Sequence, residues 1–194
     1  MRPITFQLQR TKKIKVILLF LFISGVILAQ KDTLSFLHIT DTHVIFNLDG
    51  HHSDLMDYRK TMNYDEGENR LRVFLQSTPQ KTNSDFVVIT GDLVDFFEAE
   101  TNDDKMLAIQ AKQFSNLLDD YHIPVFPTLG NHDVFTLNWK NNKQVITQDN
   151  AGRSRALWIR SEPRFRNGTF YSESFQVGKT TYPSPVNRAP APPS

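Results

Sequence analysis

The sequence has 194 residues, of which 39% are hydrophobic and 22% are charged, a composition that argues against a disordered chain, a collagen-like repeat and a coiled coil. It has no cysteine, which excludes disulfides, thiolate metal sites and cysteine nucleophiles. The formal net charge is +1, but residues 1–30 hold five basic residues and no acidic one, and without them 17 basic residues face 21 acidic ones, a net charge of −4. A mildly acidic body gives no electrostatic reason to expect nucleic acid as a partner.

The basic N-terminus runs directly into an uncharged apolar segment, residues 16–28. A positive stretch followed by an apolar run of this length is the pattern of a secretory signal peptide, and the run is short for a membrane-spanning helix, which needs about 20 residues. We therefore expect residues 1–30 to be a signal peptide cleaved near Ala29, and the rest to be exported to the periplasm or the extracellular space. An uncleaved membrane anchor is the alternative; after cleavage we expect no stable membrane span.

Three short apolar runs, residues 34–40, 86–90 and 123–129, are each bounded by turn residues and are predicted to be buried strands. Helical patterns lie between them at residues 65–77, with Asp65 as its cap and Glu68 three residues later, and at residues 104–121. One stripe of the second helix is predicted to pack in the core: Leu107, Ala111, Phe114, Leu118 and Tyr121.

The order strand–helix–strand–helix–strand predicts an α/β fold with a largely parallel sheet, and ligands of such sheets bind beyond the carboxyl ends of the strands. Residues 42–64 are read as a long loop, in which His51 and His52 either face solvent or belong to a substrate-covering segment. Beyond the third strand, residues 151–160 are predicted to be a short basic helix and residues 169–177 a strand. The domain is expected to cover residues 31–180, followed by a disordered, proline-rich tail, residues 181–194.

All three predicted strands end in residues that can bind metal: Asp41-Thr42-His43, Gly91-Asp92-Leu93-Val94-Asp95 and Gly130-Asn131-His132-Asp133. Oxygen and nitrogen donors of this kind suit manganese, iron or zinc (Mn, Fe or Zn). Two such ions need a bridging carboxylate, and together they can activate a water and clamp a phosphate. A histidine beside them can protonate the leaving oxygen or stabilise charge on the phosphate.

This series of motifs, D-x-H, G-D-x-x-D and G-N-H-D, resembles that of the calcineurin-like metallophosphoesterases over residues 34–135. The resemblance implies a β-sandwich flanked by helices and two divalent metal ions. It implies that Asp41 and His43 bind the first ion, that Asp92 bridges both, and that Asn131 binds the second ion and the substrate.

For catalysis, the resemblance implies that His132 contacts the phosphate as general acid or charge stabiliser, and that Asp95 and Asp133 orient His132. The implied function is hydrolysis of phosphomonoesters or phosphodiesters through a metal-bound hydroxide. The substrate itself is not determined by these residues.

The family pattern continues with a further histidine ligand and a glycine-histidine-x-histidine segment, whereas none of the six histidines here lies after residue 132. We therefore expect the chain to hold roughly the N-terminal half of the family's fold. Two alternatives to an active phosphoesterase follow: an inactive remnant, or a module of the same fold that binds a phosphorylated ligand or a partner protein.

Overall fold

The structure, a computed structural model, describes residues 33–183 except residues 142, 149 and 170. The expected signal peptide and residues 184–194 of the expected tail lie outside these described residues. Two compact units are present in the described part: residues 35–173 form one, and residues 174–182 belong to the other.

Within the described residues, the strands are, in chain order, β1 (Phe36–Thr40), β2 (Phe86–Thr90), β3 (Glu98–Glu100), β4 (Met106–Leu107), β5 (Val125–Thr128), β6 (Thr136–Lys140), β7 (Lys143–Thr147), β8 (Ser174–Val177) and β9 (Thr180–Pro183). The α-helices there are α1 (Ser53–Thr61), α2 (Gly67–Thr82), α3 (Gln110–Asp119) and α4 (Ala151–Ser161). Short 3₁₀ turns include Tyr64–Glu66 and His132–Val134. Together these elements confirm a mixed α/β fold.

Strands β1, β2 and β5 form a parallel sheet with β2 in the centre, as the order of the predicted elements required. Strand β2 has the predicted bounds, whereas β1 and β5 are each shorter than predicted. Strand β1 is also not buried as predicted, because it is an edge strand whose residues alternate between exposed and half-buried. Val87 pairs with Leu37 on one side and with Val125 on the other. Because all three strands run in the same direction, their carboxyl ends meet at one edge.

One face of this sheet forms the main core. Val87 and Ile89 alternate along β2 and are fully buried, in contact with the cluster that contains Leu75 of α2 and Phe114 of α3. Alternate residues of a strand point to the same face, so a five-residue strand supplies this core without a longer apolar run. Helices α2 and α3 thus pack on the sheet whose carboxyl edge carries the motifs.

Helix α2 differs from its prediction at both ends. Asp65 lies in the preceding 3₁₀ turn, and the residue before the helix, Glu66, makes no side-chain capping hydrogen bond, so the expected cap is wrong. The helix continues past Ser77 and through Pro79 to Thr82. It ends where Asn83 takes a left-handed backbone (φ 53°) and the amide of Ser84 donates to the carbonyl of Pro79 at 2.9 Å.

Helix α3 is shorter than the predicted 104–121. Residues 101–105 instead form a turn closed by the amide of Thr101, which donates to the carbonyl of Lys105 at 2.8 Å. Leu107 lies in β4, where it pairs with Ala99 of β3, and so does not belong to the helical stripe. Ala111, Phe114 and Leu118 are buried as predicted. A hydrogen-bonded turn and strand pairing therefore override a helical periodicity.

The long connection at residues 42–64 is not a simple loop, because it contains α1. Leu55 and Met56 of this helix pack against Phe96 and Leu137 in a second core. The second core lies beside a four-stranded sheet of order β4-β3-β6-β7, whose β6–β7 hairpin was not predicted from the polar composition there. The chain next to the second motif therefore packs, through Phe96, in a second core that includes α1.

The C-terminal elements agree only partly with their predictions. Helix α4 confirms the short basic helix, whereas the last predicted strand, residues 169–177, is restricted to β8. Strands β8 and β9 form a two-stranded sheet, and β9 includes residues 181–183, at the start of the expected tail. Among the helices of the described residues, none has the length and apolar character needed to cross a membrane.

Helix α4 contacts the third motif through Trp158. This side chain is fully buried against Phe114 and Phe165, and its indole Nε1 donates to the carbonyl of Asp133 at 2.9 Å. We expect Trp158→Phe to lower the free energy of unfolding by about 1–2 kcal/mol, because it removes this hydrogen bond and leaves space in the core. Urea denaturation followed by circular dichroism measures the change.

Trp139→Phe is the matched control, since Trp139 is half-buried in β6. We expect this substitution to cost clearly less than Trp158→Phe. Equal losses for the two variants would show that the contact between Trp158 and the third motif adds nothing to stability.

Candidate metal centre

The segments that follow β1 and β2 lie side by side at the carboxyl edge of the sheet. The amide of His43 donates to the carbonyl of Asp92 at 2.9 Å, and the amide of Val44 donates to the carbonyl of Leu93 at 3.1 Å. In return, the amide of Asp95 donates to the carbonyl of Val44 at 3.1 Å. These backbone bonds join the first two motifs into one rigid edge.

Three residues of this edge have a left-handed backbone although none is glycine: Asp41 (φ 54°), His43 (φ 41°) and Asp92 (φ 45°). Aspartate adopts this conformation more readily than most residues, so the strain is clearest at His43; such strain costs about 1–3 kcal/mol and clusters at functional sites. The same three residues are predicted metal ligands. The strained backbone directs their side chains to one point beyond the strands.

The side chains of Asp41, His43 and Asp92 converge there. Each offers one ligand atom, and these atoms lie within 4.8 Å of one another. Nε2 of His43 is 3.8 Å from Oδ2 of Asp92. Two carboxylates and an imidazole are a suitable donor set for a divalent transition metal, so these residues fit the ion that the motifs predict.

The third motif reaches the same point through its backbone. The amide of His132 donates to Oδ1 of Asp92 at 3.0 Å, which fixes that carboxylate. Asn131, the predicted ligand of a second ion, is exposed and immediately precedes the 3₁₀ turn that begins at His132. Asp92, Asn131 and His132 therefore occupy one small region.

Asp133 is fully buried, and its carboxylate accepts three backbone hydrogen bonds. The donors are the amides of Gly130 at 2.7 Å, Val94 at 2.9 Å and Leu93 at 3.2 Å. Burial raises the pKa of Asp133 to about 7, against the opposing effect of these amides. Asp133 holds the second and third motifs together through the backbone.

Asp95 is fully buried and contacts both site histidines. Its Oδ1 lies 3.2 Å from Nδ1 of His43 and 3.5 Å from Nδ1 of His132, whose Nδ1 is also 2.8 Å from the carbonyl of Asp95. Because Nδ1 of each ring is held by Asp95, Nε2 is the nitrogen left to contact a metal or a substrate.

Arg59, from α1, completes this arrangement. It is 6% exposed, and its Nε lies 2.7 Å from Oδ2 of Asp95. Burial alone would raise the pKa of Asp95, but the hydrogen bonds with His132 and His43, together with the Arg59 charge, outweigh it and hold this pKa below its usual value.

The distances would also allow His43, Asp95 and His132 to hold an ion. The Arg59 cation beside Asp95 opposes a second cation there, and the ring Nδ1 atoms already contact the carboxylate. These observations favour Asp41, His43 and Asp92 as the metal ligands, with Asp95 positioning the two rings.

Sequence reasoning missed Arg59 and Tyr64. The Tyr64 ring stacks on His43 at 4.7 Å with an interplanar angle of 5°. Neither residue belongs to a motif, and both lie in the segment read as a loop, so no local signal indicated them.

The prediction that His51 faces solvent or covers the substrate was wrong, because its side chain is only 1% exposed. Its Nε2 lies 3.3 Å from the carbonyl of Phe46 and 3.2 Å from Nε2 of Gln110, so His51 is a core residue. His52 stacks on Trp139 at 4.7 Å.

Gly130 lies where two backbone segments approach closely. A Cβ there would be 2.3 Å from both the amide nitrogen and Oδ1 of Asp92, too close for any side chain. We expect Gly130→Ala to lower the free energy of unfolding by about 2 kcal/mol and to weaken metal binding, because Asp92 must move. Urea denaturation and calorimetric metal titration measure the two effects.

Gly152→Ala in α4 is the matched control, because no atom lies within 4 Å of the added Cβ. Alanine favours a helix interior by about 0.5–1 kcal/mol over glycine, and Gly152 is the second residue of α4, so this variant should be at least as stable as wild type with unchanged metal binding. If Gly130→Ala behaves like Gly152→Ala, the close approach at the third motif is not important.

Comparison with known families agrees with this geometry. The calcineurin-like phosphoesterase family matches residues 34–182, which is more than half of the chain and includes the three motifs and both units of the described structure. No curated protein matches the chain. Members of this family carry out metal-dependent phosphoester hydrolysis, in keeping with the converging acidic and histidine side chains. The chain belongs to the calcineurin-like phosphoesterase family.

Proposed function

We propose that the protein hydrolyses phosphomonoesters or phosphodiesters at a centre of two divalent ions, Mn, Fe or Zn. The observation that carries this proposal is the convergence of Asp41, His43 and Asp92, each with a left-handed backbone, at the carboxyl edge of a parallel sheet. The left-handed backbone of His43 costs the most, because aspartate adopts this conformation more readily, and strain of this kind concentrates at functional sites.

Asp41 and His43 would hold the first ion, Asp92 would lie between the two, and Asn131 would hold the second. When bound, the ions supply Lewis acidity towards the phosphate and lower the pKa of water. Asp92 is held in place for this task by the amide of His132, at 3.0 Å.

His132 would act on the leaving oxygen. Its hydrogen bond with the Asp95 carboxylate raises the pKa of His132, although burial partly opposes this, so the ring retains a proton closer to neutral pH. With Nδ1 held by Asp95, the proton available for transfer is the one on Nε2. Asp95 and Arg59 keep the ring oriented, and Asp133 holds the backbone of this motif.

The test is hydrolysis of p-nitrophenyl phosphate and bis(p-nitrophenyl) phosphate by the purified chain loaded with Mn, Fe or Zn. We expect turnover of at least one ester that is abolished by a chelator and restored by the metal. If a protein with two bound ions per chain hydrolyses neither ester, the alternative of a phospho-ligand or partner-binding module is favoured. If it binds no metal, the chain is an inactive remnant.

We also propose that residues 1–30 direct export and are then removed. The basic stretch followed by residues 16–28 supports this proposal. N-terminal sequencing of the protein from separated cell fractions tests it: a new N-terminus near Gln30 in the exported fraction is expected. A full-length chain in the membrane fraction would favour the anchor, and a full-length chain among cytosolic proteins would contradict export.

A further inference from the structure

A cavity of about 290 Å³ opens beside the candidate metal centre. Asp41 and His43 form its border on one side, so a group that occupies the cavity lies next to the atoms that would hold the first ion. The 3₁₀ turn at Tyr64 and the first turns of α2 also line the cavity. Its volume is at the low end for small-molecule sites and is sufficient for one aromatic ring.

The walls of this cavity are mostly apolar. They include Ile39 of β1, Leu71 and Phe74 of α2, and the side chain of Met62, which is 42% exposed. Tyr64 adds an aromatic ring that is fixed by stacking on His43. Apolar and aromatic walls favour a flat hydrophobic group over a hydrated sugar or a small alcohol.

One cation also lines the cavity, Arg70. Several other arginines are paired with carboxylates: Arg59 with Asp95, Arg72 with Glu68 and Asp120, Arg153 with Glu98, and Arg164 with Glu162. Over the described ranges, Arg70 makes no such ion pair and is exposed. An unpaired guanidinium at the border of an apolar cavity can bind an anionic group of a ligand.

We propose that this cavity receives the organic part of the phosphoester and selects an aromatic group that carries a second anion, bound by Arg70. This inference rests on the proposed function and names its substrate class: an aryl or arylalkyl phosphate with a carboxylate or a second phosphate. The phosphate to be hydrolysed lies at Asp41 and His43, the ring lies against Tyr64 and Phe74, and the second anion reaches Arg70.

Two non-hydrolysable ligands test the proposal by binding alone. Benzylphosphonate and 4-(phosphonomethyl)benzoate both carry a phosphonate and a ring, and they differ only in the carboxylate. Calorimetric titration of the metal-loaded protein is expected to show about three- to tenfold tighter binding of the carboxylated ligand. Arg70→Ala should abolish this preference and leave binding of benzylphosphonate unchanged.

Lys81→Ala is the matched control, because Lys81 lies in the last turn of the same helix and does not line the cavity. This variant should retain the full preference. Asn63→Asp adds a carboxylate to the cavity border with no change of shape, at an exposed position whose left-handed backbone (φ 58°) aspartate tolerates, and it should weaken the carboxylated ligand selectively. Circular dichroism checks that each variant is folded.

Equal binding of the two ligands to the wild-type protein, or binding of neither, would overturn the proposal, as would a preference that survives in Arg70→Ala. These outcomes do not depend on turnover. Selective binding in a protein that hydrolyses no ester would support the cavity and contradict the proposed function. Hydrolysis without any preference would support the function and contradict the cavity.

Discussion

Replacing Asp92 with asparagine is expected to reduce metal-dependent phosphoesterase activity by at least about 100-fold. Loss of a residue that only orients a metal ligand costs up to about 100-fold, and loss of a ligand itself should cost no less. Asparagine keeps the size of the side chain and tolerates the left-handed backbone (φ 45°), so the change removes charge with little change of shape. Steady-state kinetics with p-nitrophenyl phosphate and metal analysis of the same sample measure the loss. Fewer bound ions per chain should accompany it.

Asp104→Asn is the matched control for this prediction. Asp104 also has a left-handed backbone (φ 58°), but it is exposed in the turn before β4, outside the candidate site. Its replacement should leave both activity and metal content unchanged. An Asp92→Asn protein with wild-type turnover and wild-type metal content would refute the assignment of Asp92 as the bridging ligand.

Replacing Arg59 with methionine is expected to lower the free energy of unfolding by about 3 kcal/mol, because it leaves the buried Asp95 carboxylate without its cation. Arg59 is 6% exposed and Asp95 is fully buried, so water cannot replace the lost partner without rearrangement. Urea denaturation measures this loss. We also expect kcat to fall, because Asp95 no longer holds His43 and His132 firmly.

Arg72→Met is the matched control, since Arg72 forms ion pairs with Glu68 and Asp120 at the surface, where its side chain is 38% exposed. Exposed pairs contribute about 0–1 kcal/mol, so this variant should be close to wild type. In the double variant Arg59→Met, Asp95→Asn, the losses should be less than additive, because both changes remove the same ion pair. Additive losses, or an Arg59→Met protein as stable as Arg72→Met, would show that the pair is not coupled.

The sequence predicted the parts of the site that depend on short-range order. Apolar runs that end at Asp41, Gly91 and Gly130 indicated three buried strands, and each polar motif followed its strand directly. Because parallel strands present their carboxyl ends at one edge, the motifs had to meet there. The parallel sheet, the mixed α/β fold and the family are accordingly confirmed.

Other predictions failed where contacts distant in sequence decide the local structure. Residues 104–107 have helical periodicity, yet Leu107 pairs with Ala99 in a strand because the turn at residues 101–105 brings them together. His51 was expected at the surface, but the folding of residues 42–64 around α1 buries it beside Gln110, 59 residues away. A polar residue just before an unrecognised helix gives no sign of such burial.

By itself, the sequence determined which family the chain belongs to and predicted the donors of the site, because strands, turns and motifs are each encoded by a few consecutive residues. Only the tertiary structure decided how those donors are supported. Arg59 reaches Asp95 from a helix 36 positions earlier in the chain, and Arg70, Tyr64 and Asp41 share one cavity without sharing a motif. Such contacts depend on how α1 and α2 pack on the sheet, and packing of this kind leaves no pattern along the chain.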